Sequence, residues 1–584
     1  MIAGRAAAGG KMAVAGPLEV EWQFDAPDLD RVEAWLQAQP PHAALTLARR
    51  GEKVQRDTYF DTPAWHVQHA AYTLRVREVG DGRETTLKGK ASRGDGPISR
   101  TELNEPVDLP DALEGDGEVG RRLRLIRRGA PLRPLFTVTT HRRVWLAQAG
   151  TVVLAEIALD DTTVASASGV TSTIRRVEIE EVTRGSLSTI EAFVAAIRAE
   201  CALTPAATSK FEAGLSAAGW TPGPPDLGPT ETSDDDRVVD RAYAVLRRRT
   251  GGLLITEGGT ALGEDVEQLH DMRVATRRLR AALRVFEDLI PPPLLAASDE
   301  LRWFAQSLGA VRDLDVQLEH LEVLRRDAAW AEATALAPLV AQFEAQRVEA
   351  RAELLAAMDG ERYARMMDAL RSMLLAGPSP DAPDLSSHEA GREIIRKRHR
   401  RFRQDATALR RTSPHAEFHE LRIRGKRLRY SLELFVDLYG RPGARALTSL
   451  RAVQDLLGEL QDLATTDIRL RDLVSAHPTT LPTDTLVMVG RLFERHVDRS
   501  AAIIDAFPRA RRAVLRDFVR LDRAMRPPRR ADVPSEEPAP PPEPSPTAPS
   551  MALVPVSPVR RRPAPGGALR ALLRLVRRRP SDRD

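Results

Sequence analysis

Hydrophobic and polar positions follow two different rhythms along this chain. Between residues 18 and 218 they alternate in short runs, as in Leu74-Arg75-Val76-Arg77 and Val177-Glu178-Ile179-Glu180. A period of two sends successive side chains to opposite faces of a strand, so this stretch predicts a strand-rich domain. From residue 235 to 526 apolar residues recur at three and four, and Leu/Ala-rich stripes face Arg-rich ones. That spacing predicts amphipathic helices. Residues 219–234 run from Thr221-Pro222-Gly223-Pro224-Pro225 to Asp234-Asp235-Asp236 without apolar periodicity and predict a linker. Pro291-Pro292-Pro293 separates two helical stretches. Residues 1–17 are Ala/Gly-rich, and 527–584 are Pro-rich with a basic end. Both are too poor in periodic apolar residues for a packed core.

At 584 residues the chain exceeds what one hydrophobic core sustains. Its 86 Lys and Arg against 82 Asp and Glu leave a net charge of only +4, so an anion site has to arise from local clustering. The single cysteine, Cys201, excludes an internal disulfide or a thiolate metal cage and fits a reducing cytoplasm. No apolar run reaches the ~18–20 residues that span a bilayer. The N-terminus lacks the apolar centre of a signal peptide, and Met12 is an alternative start. Aromatics are only 5% of the chain, which argues against base stacking, and no groove-reading motif is evident. Nucleic acid is therefore the disfavoured partner.

The helical half contains a duplication. His270-Asp-Met-Arg273-Val-Ala-Thr-Arg277-Arg278-Leu279-Arg280 matches His419-Glu-Leu-Arg422-Ile-Arg-Gly-Lys426-Arg427-Leu428-Arg429 at an offset of 419 − 270 = 149. Leu308-Gly309-Ala-Val-Arg312-Asp313-Leu314 matches Leu457-Gly458-Glu-Leu-Gln461-Asp462-Leu463 at 458 − 309 = 149. Two motifs holding one offset indicate a repeated unit. At ~100° per residue, His270, Arg273, Arg277 and Arg280 share one helix face within about 80°, and Met272, Leu279, Leu283 and Phe286 oppose them. His419, Arg422, Lys426 and Arg429 repeat the basic face; Leu421, Leu428, Leu432 and Phe435 repeat the apolar one. Like charges at three and four residues repel unless something anionic neutralises them. Arginine suits phosphate, whose oxygens it grips in pairs. A basic face solvated or paired to nearby carboxylates is the plain alternative. His415 and His419 are the only i, i+4 histidine pair among these motifs, weak support for a metal site.

In the strand-rich half, charged residues share strand faces. Glu19 and Glu21 stand with Gln23, Arg75 with Arg77, Lys88 with Lys90, Arg100 with Glu102, Glu156 with Asp160, and Glu178 with Glu180. Either these are the solvent faces of an antiparallel sheet, or they line a charged lumen. In the second case carboxylates would hold a divalent metal and cations a phosphate chain.

The helical half, residues 235–526, resembles the CHAD family, the conserved-histidine α-helical domains, on the two His/Arg and two Leu-Gly-x-x-x-Asp motifs. That resemblance implies an all-α pair of bundles about a pseudo-two-fold axis. It also implies polyphosphate binding by His270, Arg273, Arg277, Arg280, His419, Arg422, Lys426 and Arg429. Gln461 replaces the family's second-motif arginine. Residues 18–218 resemble the CYTH family, the triphosphate tunnel metalloenzymes. The motifs are the opening Glu19-x-Glu21, Asp57-Thr-Tyr59-Phe-Asp61-Thr, Leu74-Arg75-Val76-Arg77, Thr86-Leu87-Lys88, Arg142-x-x-Trp145, Glu156-x-Ala-Leu-Asp160, Glu178-x-Glu180 and Ser209-Lys210. This implies an eight-stranded antiparallel tunnel in a multidomain α+β chain, and Mg²⁺- or Mn²⁺-dependent hydrolysis of triphosphates. Glu19, Glu21 and Gln23 take the catalytic positions. Glu19, Glu21, Glu178 and Glu180 would bind metal, and Arg75, Arg77, Lys88, Arg100, Arg142 and Lys210 phosphate. Gln23 stands where the family has a lysine that positions the attacking water. The expected function is a triphosphate- or polyphosphate-handling hydrolase; the alternative is a non-catalytic polyphosphate-binding or granule-associated protein. Residues 568–579 form a basic amphipathic stretch suited to an anionic surface, or else a plain basic tip.

Overall fold

Eight strands build the first half: β1 (Leu18–Asp25), β2 (Thr46–Asp61), β3 (Tyr72–Val79), β4 (Gly82–Gly89), β5 (Ile98–Glu105), β6 (Arg133–Ala149), β7 (Val152–Ala165) and β8 (Thr171–Glu181). They follow the order β5-β4-β3-β2-β6-β7-β8-β1, antiparallel at each junction, and β1 pairs again with β5. The sheet is therefore a closed barrel without free edges. A two-residue strand, β9 (Thr204–Pro205), adds to β1. This is a computed structural model. It describes residues 18–38, 45–90, 96–165, 171–327, 334–476 and 481–526. The expectations for residues 1–17 and for the tail from 527, including the segment 568–579, lie outside the described residues.

The barrel is inverted relative to an ordinary core. Its apolar strand faces point outward and are covered by helices. Leu74, Val76 and Leu87 pack beneath α3 (Leu109–Glu114) and α4 (Glu118–Arg127), and Val67 of α2 (His66–His69) joins them. Trp22, Ile157, Val177 and Ile179 pack beneath α1 (Leu29–Ala38) and α5 (Leu187–Glu200). An exception lies on the inward faces: Tyr59, paired with Arg75, and Val138, paired with Asp57, pack with Phe136 against Phe211 and Leu215 of α6 (Lys210–Ala218) inside the barrel. With the apolar side committed outward, period two turns the polar side into the lumen.

The helical half comprises α7 (Val238–Leu254), α8 (Glu257–Leu262), α9 (Val266–Val285), α10 (Pro292–Asp327), α11 (Ala337–Asp359), α12 (Glu361–Ala376), α13 (Ser387–Ala408), α14 (His415–Phe435), α15 (Gly440–Ala476) and α16 (Thr483–Ala524). The duplication extends far beyond its motifs. The starts of α7 and α13 differ by 387 − 238 = 149, those of α9 and α14 by 415 − 266 = 149, and the ends of α10 and α15 by 476 − 327 = 149. Three contacts join a residue to its own repeat equivalent. Arg237 bridges Ser386, Phe286 packs edge-on against Phe435 at 5.9 Å, and Gln317 Nε2 donates to Thr466 Oγ1 at 2.9 Å. A residue touches its own equivalent only near a rotation axis, so these pairs mark the pseudo-two-fold. Met272, Leu279, Leu283 and Phe286 are fully buried, as are Leu421, Leu428, Leu432 and Phe435.

The expected linker has no regular helix or strand through residues 219–234, yet it is fastened. Leu227 is buried, Arg247 donates to the Pro229 carbonyl at 3.3 Å, and Arg241 to that of Ser233 at 2.9 Å. Residues up to Arg526 form one unit. Its two halves meet at Glu264, which accepts from the Tyr72 hydroxyl and from Arg122 Nε at 2.7 Å. Beside it Gly258 lies against the barrel half; a Cβ there would stand 2.7 Å from the Ile126 carbonyl, so the approach requires glycine.

Phe286 and Phe435 fill one shared space at the axis. Each is expected to cost about 3–5 kcal/mol on truncation to alanine. The double variant is expected to cost less than the two single losses together, because each truncation opens the same cavity. Urea denaturation of the three variants measures this; strictly additive losses would contradict a shared axial contact.

Candidate functional site

The inward faces enclose a cavity of about 730 Å³. It gathers all eleven tunnel residues singled out from the sequence. Glu19, Glu21 and Gln23 come from β1, Arg75 and Arg77 from β3, Lys88 from β4 and Arg100 from β5. Arg142 comes from β6, Glu178 and Glu180 from β8, and Lys210 from the start of α6. A capping box sets that last position: Ser209 Oγ accepts from the Glu212 backbone N–H at 3.1 Å, and Glu212 accepts from that of Ser209 at 2.8 Å. Register sets the others, pairing Glu21 with Glu180, Gln23 with Glu178, Glu19 with Arg100 and Arg142 with Asp160.

Each of the six tunnel cations singled out from the sequence is held by carboxylates. Glu19 takes Lys88 at 3.0 Å and Arg100 at 3.0 Å, and Arg100 also reaches Glu21. Glu102 takes Lys88 at 2.7 Å and Arg75 at 3.4 Å. Asp57 grips Arg77 with both oxygens, at 2.7 and 2.9 Å, and Arg75 at 3.3 Å. At the other end Asp160 grips Arg142 at 2.7 and 2.6 Å and Lys210 at 2.5 Å, while Glu178 takes Lys210 at 3.0 Å. The Gln23 amide donates to Glu21 at 2.8 Å.

On the helical half, the basic faces of α9 and α14 converge across the axis. Lys426 is surrounded by Arg422, Arg277, Arg273 and Arg429. Arg273 and Arg469 share Asp313, at 3.4 and 3.0 Å, and Arg429 meets Glu433 at 3.4 Å. Arg277, Arg422 and Lys426 make no ion pair among the described residues. His419 Nδ1 donates to Gln461, whereas His270 Nδ1 is buried without a partner. Arg280, three residues on from Arg277, lines a cavity together with it and has Arg302, Arg284 and Asp299 as charged neighbours.

A CYTH-domain sequence profile matches residues 31–206, and a CHAD-domain profile matches residues 244–471. The chain is a CYTH domain joined to a CHAD domain. No curated protein matches it. Among solved structures, the CHAD domain from the plant Ricinus communis is 29% identical, covering 50% of this chain and 96% of its own, with a TM-score of 0.43. PptA from Streptomyces chartreusis is 20% identical over 47% of this chain and 99% of its own, with a TM-score of 0.39. A putative adenylyl cyclase from Hippeastrum, described as having a dominant triphosphatase activity, is 18% identical. It covers 35% of this chain and 97% of its own, with a TM-score of 0.27.

Electrostatics divides the CYTH tunnel. Burial, reinforced by Glu178, raises the Glu21 carboxyl to about 7; burial and Glu19 do the same to Glu180. Against the desolvation of their burial, Arg77 and Arg75 hold Asp57 at about 2, and Lys88 and Arg75 hold Glu102 at about 2. Among the described residues no three His, Cys, Asp or Glu side chains are set to hold one metal ion. The donor chemistry nevertheless suits a hard divalent cation, because Glu19, Glu21, Glu178 and Glu180 are oxygen donors whose mutual repulsion such a charge relieves. Sequence reading placed Glu102 and Asp160 on charged strand faces and Asp57 and Asp160 in family motifs, but gave none of the three a role at the site. Their signal was present, since each lies on a strand already supplying, or paired with one supplying, a tunnel cation. No helix among the described residues is long and apolar enough to cross a membrane.

In the CHAD domain, burial and the surrounding arginines lower the Lys426 ammonium from its ordinary 10.5 to about 7. Between those values the unfolded chain binds the extra proton, so this residue makes stability rise with pH from about 7 towards 10.5. Lys426→Met is expected to flatten that part of the stability profile. Denaturation midpoints across the alkaline range measure it, and an unchanged slope would contradict the assignment.

Proposed function

We propose that the CYTH tunnel hydrolyses phosphoanhydride bonds of inorganic triphosphate or short polyphosphate with Mg²⁺ or Mn²⁺, while the CHAD surface holds condensed phosphate. One observation carries this reading: a closed lumen in which each of the six assigned cations stands within ion-pair reach of a carboxylate. Guanidinium forks match pairs of phosphoryl oxygens, and carboxylates supply hard oxygen donors. A triphosphate entering the tunnel takes Lys88, Arg100, Arg142 and Lys210 from their carboxylates. The carboxylates so released, Glu19, Glu21 and Glu178, would with Glu180 hold the divalent cation. That cation, when bound, supplies Lewis-acid polarisation of the phosphoryl oxygens. The chain's own cations orient the phosphates and neutralise charge on the equatorial oxygens.

Gln23 is the point where a second reading enters. Its amide donates to Glu21 and brings no charge to the reacting phosphate, which favours a tunnel that binds without turnover. On either reading, the CHAD cations place the protein on polyphosphate chains or granules, and tethering raises the local concentration of chain ends at the tunnel.

Phosphate release from tripolyphosphate by the full chain, with Mg²⁺ or Mn²⁺ and with chelator, decides between the two. Metal-dependent release is expected, with Arg75→Ala or Arg142→Ala lowering the rate by about 100-fold or more. No release by the natural chain, together with release by Gln23→Lys, would make the tunnel a binding site only. Titration with polyphosphate against duplex DNA at matched salt tests the CHAD surface; equal affinity for both would refute selectivity for phosphate chains.

A further inference from the structure

We propose that the two halves of the duplicated helical domain are unequal as anion sites: a pocket on the first-copy side binds condensed phosphate more strongly than its counterpart, whose positive charge is reduced by Glu433. This deepens the reading of the CHAD surface and rests on it for the nature of the ligand.

The pocket is a cavity of about 750 Å³ between α9, α10, α13 and α14. Eight arginines line it against two glutamates. Arg284 represents α9, Arg302 α10, Arg401 α13 and Arg424 α14. Applying the offset of 149 gives the matching positions in the other half. Five of the eight arginines keep a cation there, as Lys426, Arg429, Arg451, Arg249 and Arg278, but Arg284 becomes Glu433, Arg401 becomes Gly252, and Arg424 becomes Ala275. The second-copy groove thus loses three cations and gains a carboxylate at its centre.

That carboxylate is engaged. Glu433 Oε1 accepts from Arg429 at 3.4 Å and from Arg451 at 3.2 Å, and its side chain is only 10% exposed. On the first-copy side the equivalents, Arg280 and Arg302, have Arg284 between them instead. Arg284 and Arg302 share Asp299, at 3.2 and 3.4 Å, but this carboxylate is 65% exposed, where solvent screens the pair. Arg424 is paired with Asp405 at 2.5 Å, while Arg401 and Arg427 make no ion pair among the described residues. Arg398 is positioned by neutral acceptors, the Ser431 hydroxyl at 2.6 Å and the carbonyls of Arg427 and Arg284 at 3.2 and 3.3 Å. Its orientation is thereby fixed while its charge stays available. Arginines gathered without matching carboxylates repel one another, and a multiply charged oxyanion relieves that cost. The repeated spacing of charge along a phosphate chain fits four walls of guanidinium groups, and the cavity volume lies in the range of small-ligand pockets.

The test uses the full chain in chelator and a long-chain inorganic polyphosphate, with binding followed by titration at several salt concentrations. The paired substitution R284E/R401G, which gives the first copy the second copy's residues, is expected to weaken binding by about tenfold or more and to reduce its salt dependence. E433Q, which removes the neutralising charge without changing side-chain size, is expected to strengthen binding and steepen the salt dependence. Melting temperatures near that of the natural chain establish that R284E/R401G is folded; R401Q alone, at a lining position without an ion pair, gives the same readout with less disturbance. Binding by the natural chain that stays within about twofold in R284E/R401G and R401Q, with no gain in E433Q, would overturn the inequality and leave the CHAD reading standing. Failure of the natural chain to bind polyphosphate at all would overturn that reading itself.

Discussion

A charge taken out of water has to meet an opposite charge or a full set of hydrogen bonds, and the strand-rich half is organised by that requirement. Its apolar strand faces are used up by the helices outside the barrel, so the charged faces have nowhere to go but inward. Closure between β1 and β5 then forces Glu19 against Lys88 and Arg100, residues 69 and 81 positions away. The lumen survives as a charged cavity because each of its six assigned cations has a carboxylate within reach. The same pairing makes the tunnel responsive: an anion and a divalent cation together can replace the internal pairs without leaving a net buried charge.

The helical half meets the same requirement less completely. Around the pseudo-two-fold axis, Lys426, Arg277 and Arg422 are packed among other cations with few carboxylates, and the ammonium yields by losing affinity for its proton. Apolar burial on the opposite faces of α9 and α14 holds these helices in place regardless, with Phe286 and Phe435 meeting on the axis. Stability is thus supplied by one face of each helix, and the other is left electrostatically uncompensated. Duplication fixed this arrangement twice, and divergence then loosened the equality, since a single exchange of Arg284 for Glu433 reverses the charge at the centre of one groove.

Glu264 joins the two halves. It immediately precedes the residue that caps α9, and it accepts hydrogen bonds from Tyr72 at the tunnel wall and from Arg122 of α4. The first basic helix therefore begins where the tunnel wall ends, and the absence of a side chain at Gly258 lets α8 close against the Ile126 carbonyl beside it.

By itself the sequence determined the local rhythm and the repeat. Period two in Leu74-Arg75-Val76-Arg77, period 3.6 in the His/Arg helices and the offset of 149 are properties of neighbouring residues or of self-comparison, and each reappears as strand, helix and pseudo-two-fold. Tertiary structure decided which side of each strand faces inward, because alternation gives a polar face whether the sheet is open or closed. It also selected the counter-charges. Asp57, Glu102 and Asp160 stand on charged strand faces in the sequence, but which cation each one meets follows from register and closure, long-range facts that no local pattern carries. The Pro-rich stretch at 219–234 is fastened for the same kind of reason: Leu227 is buried in the core of the assembled helices, and arginines of α7 hold the carbonyls of Pro229 and Ser233.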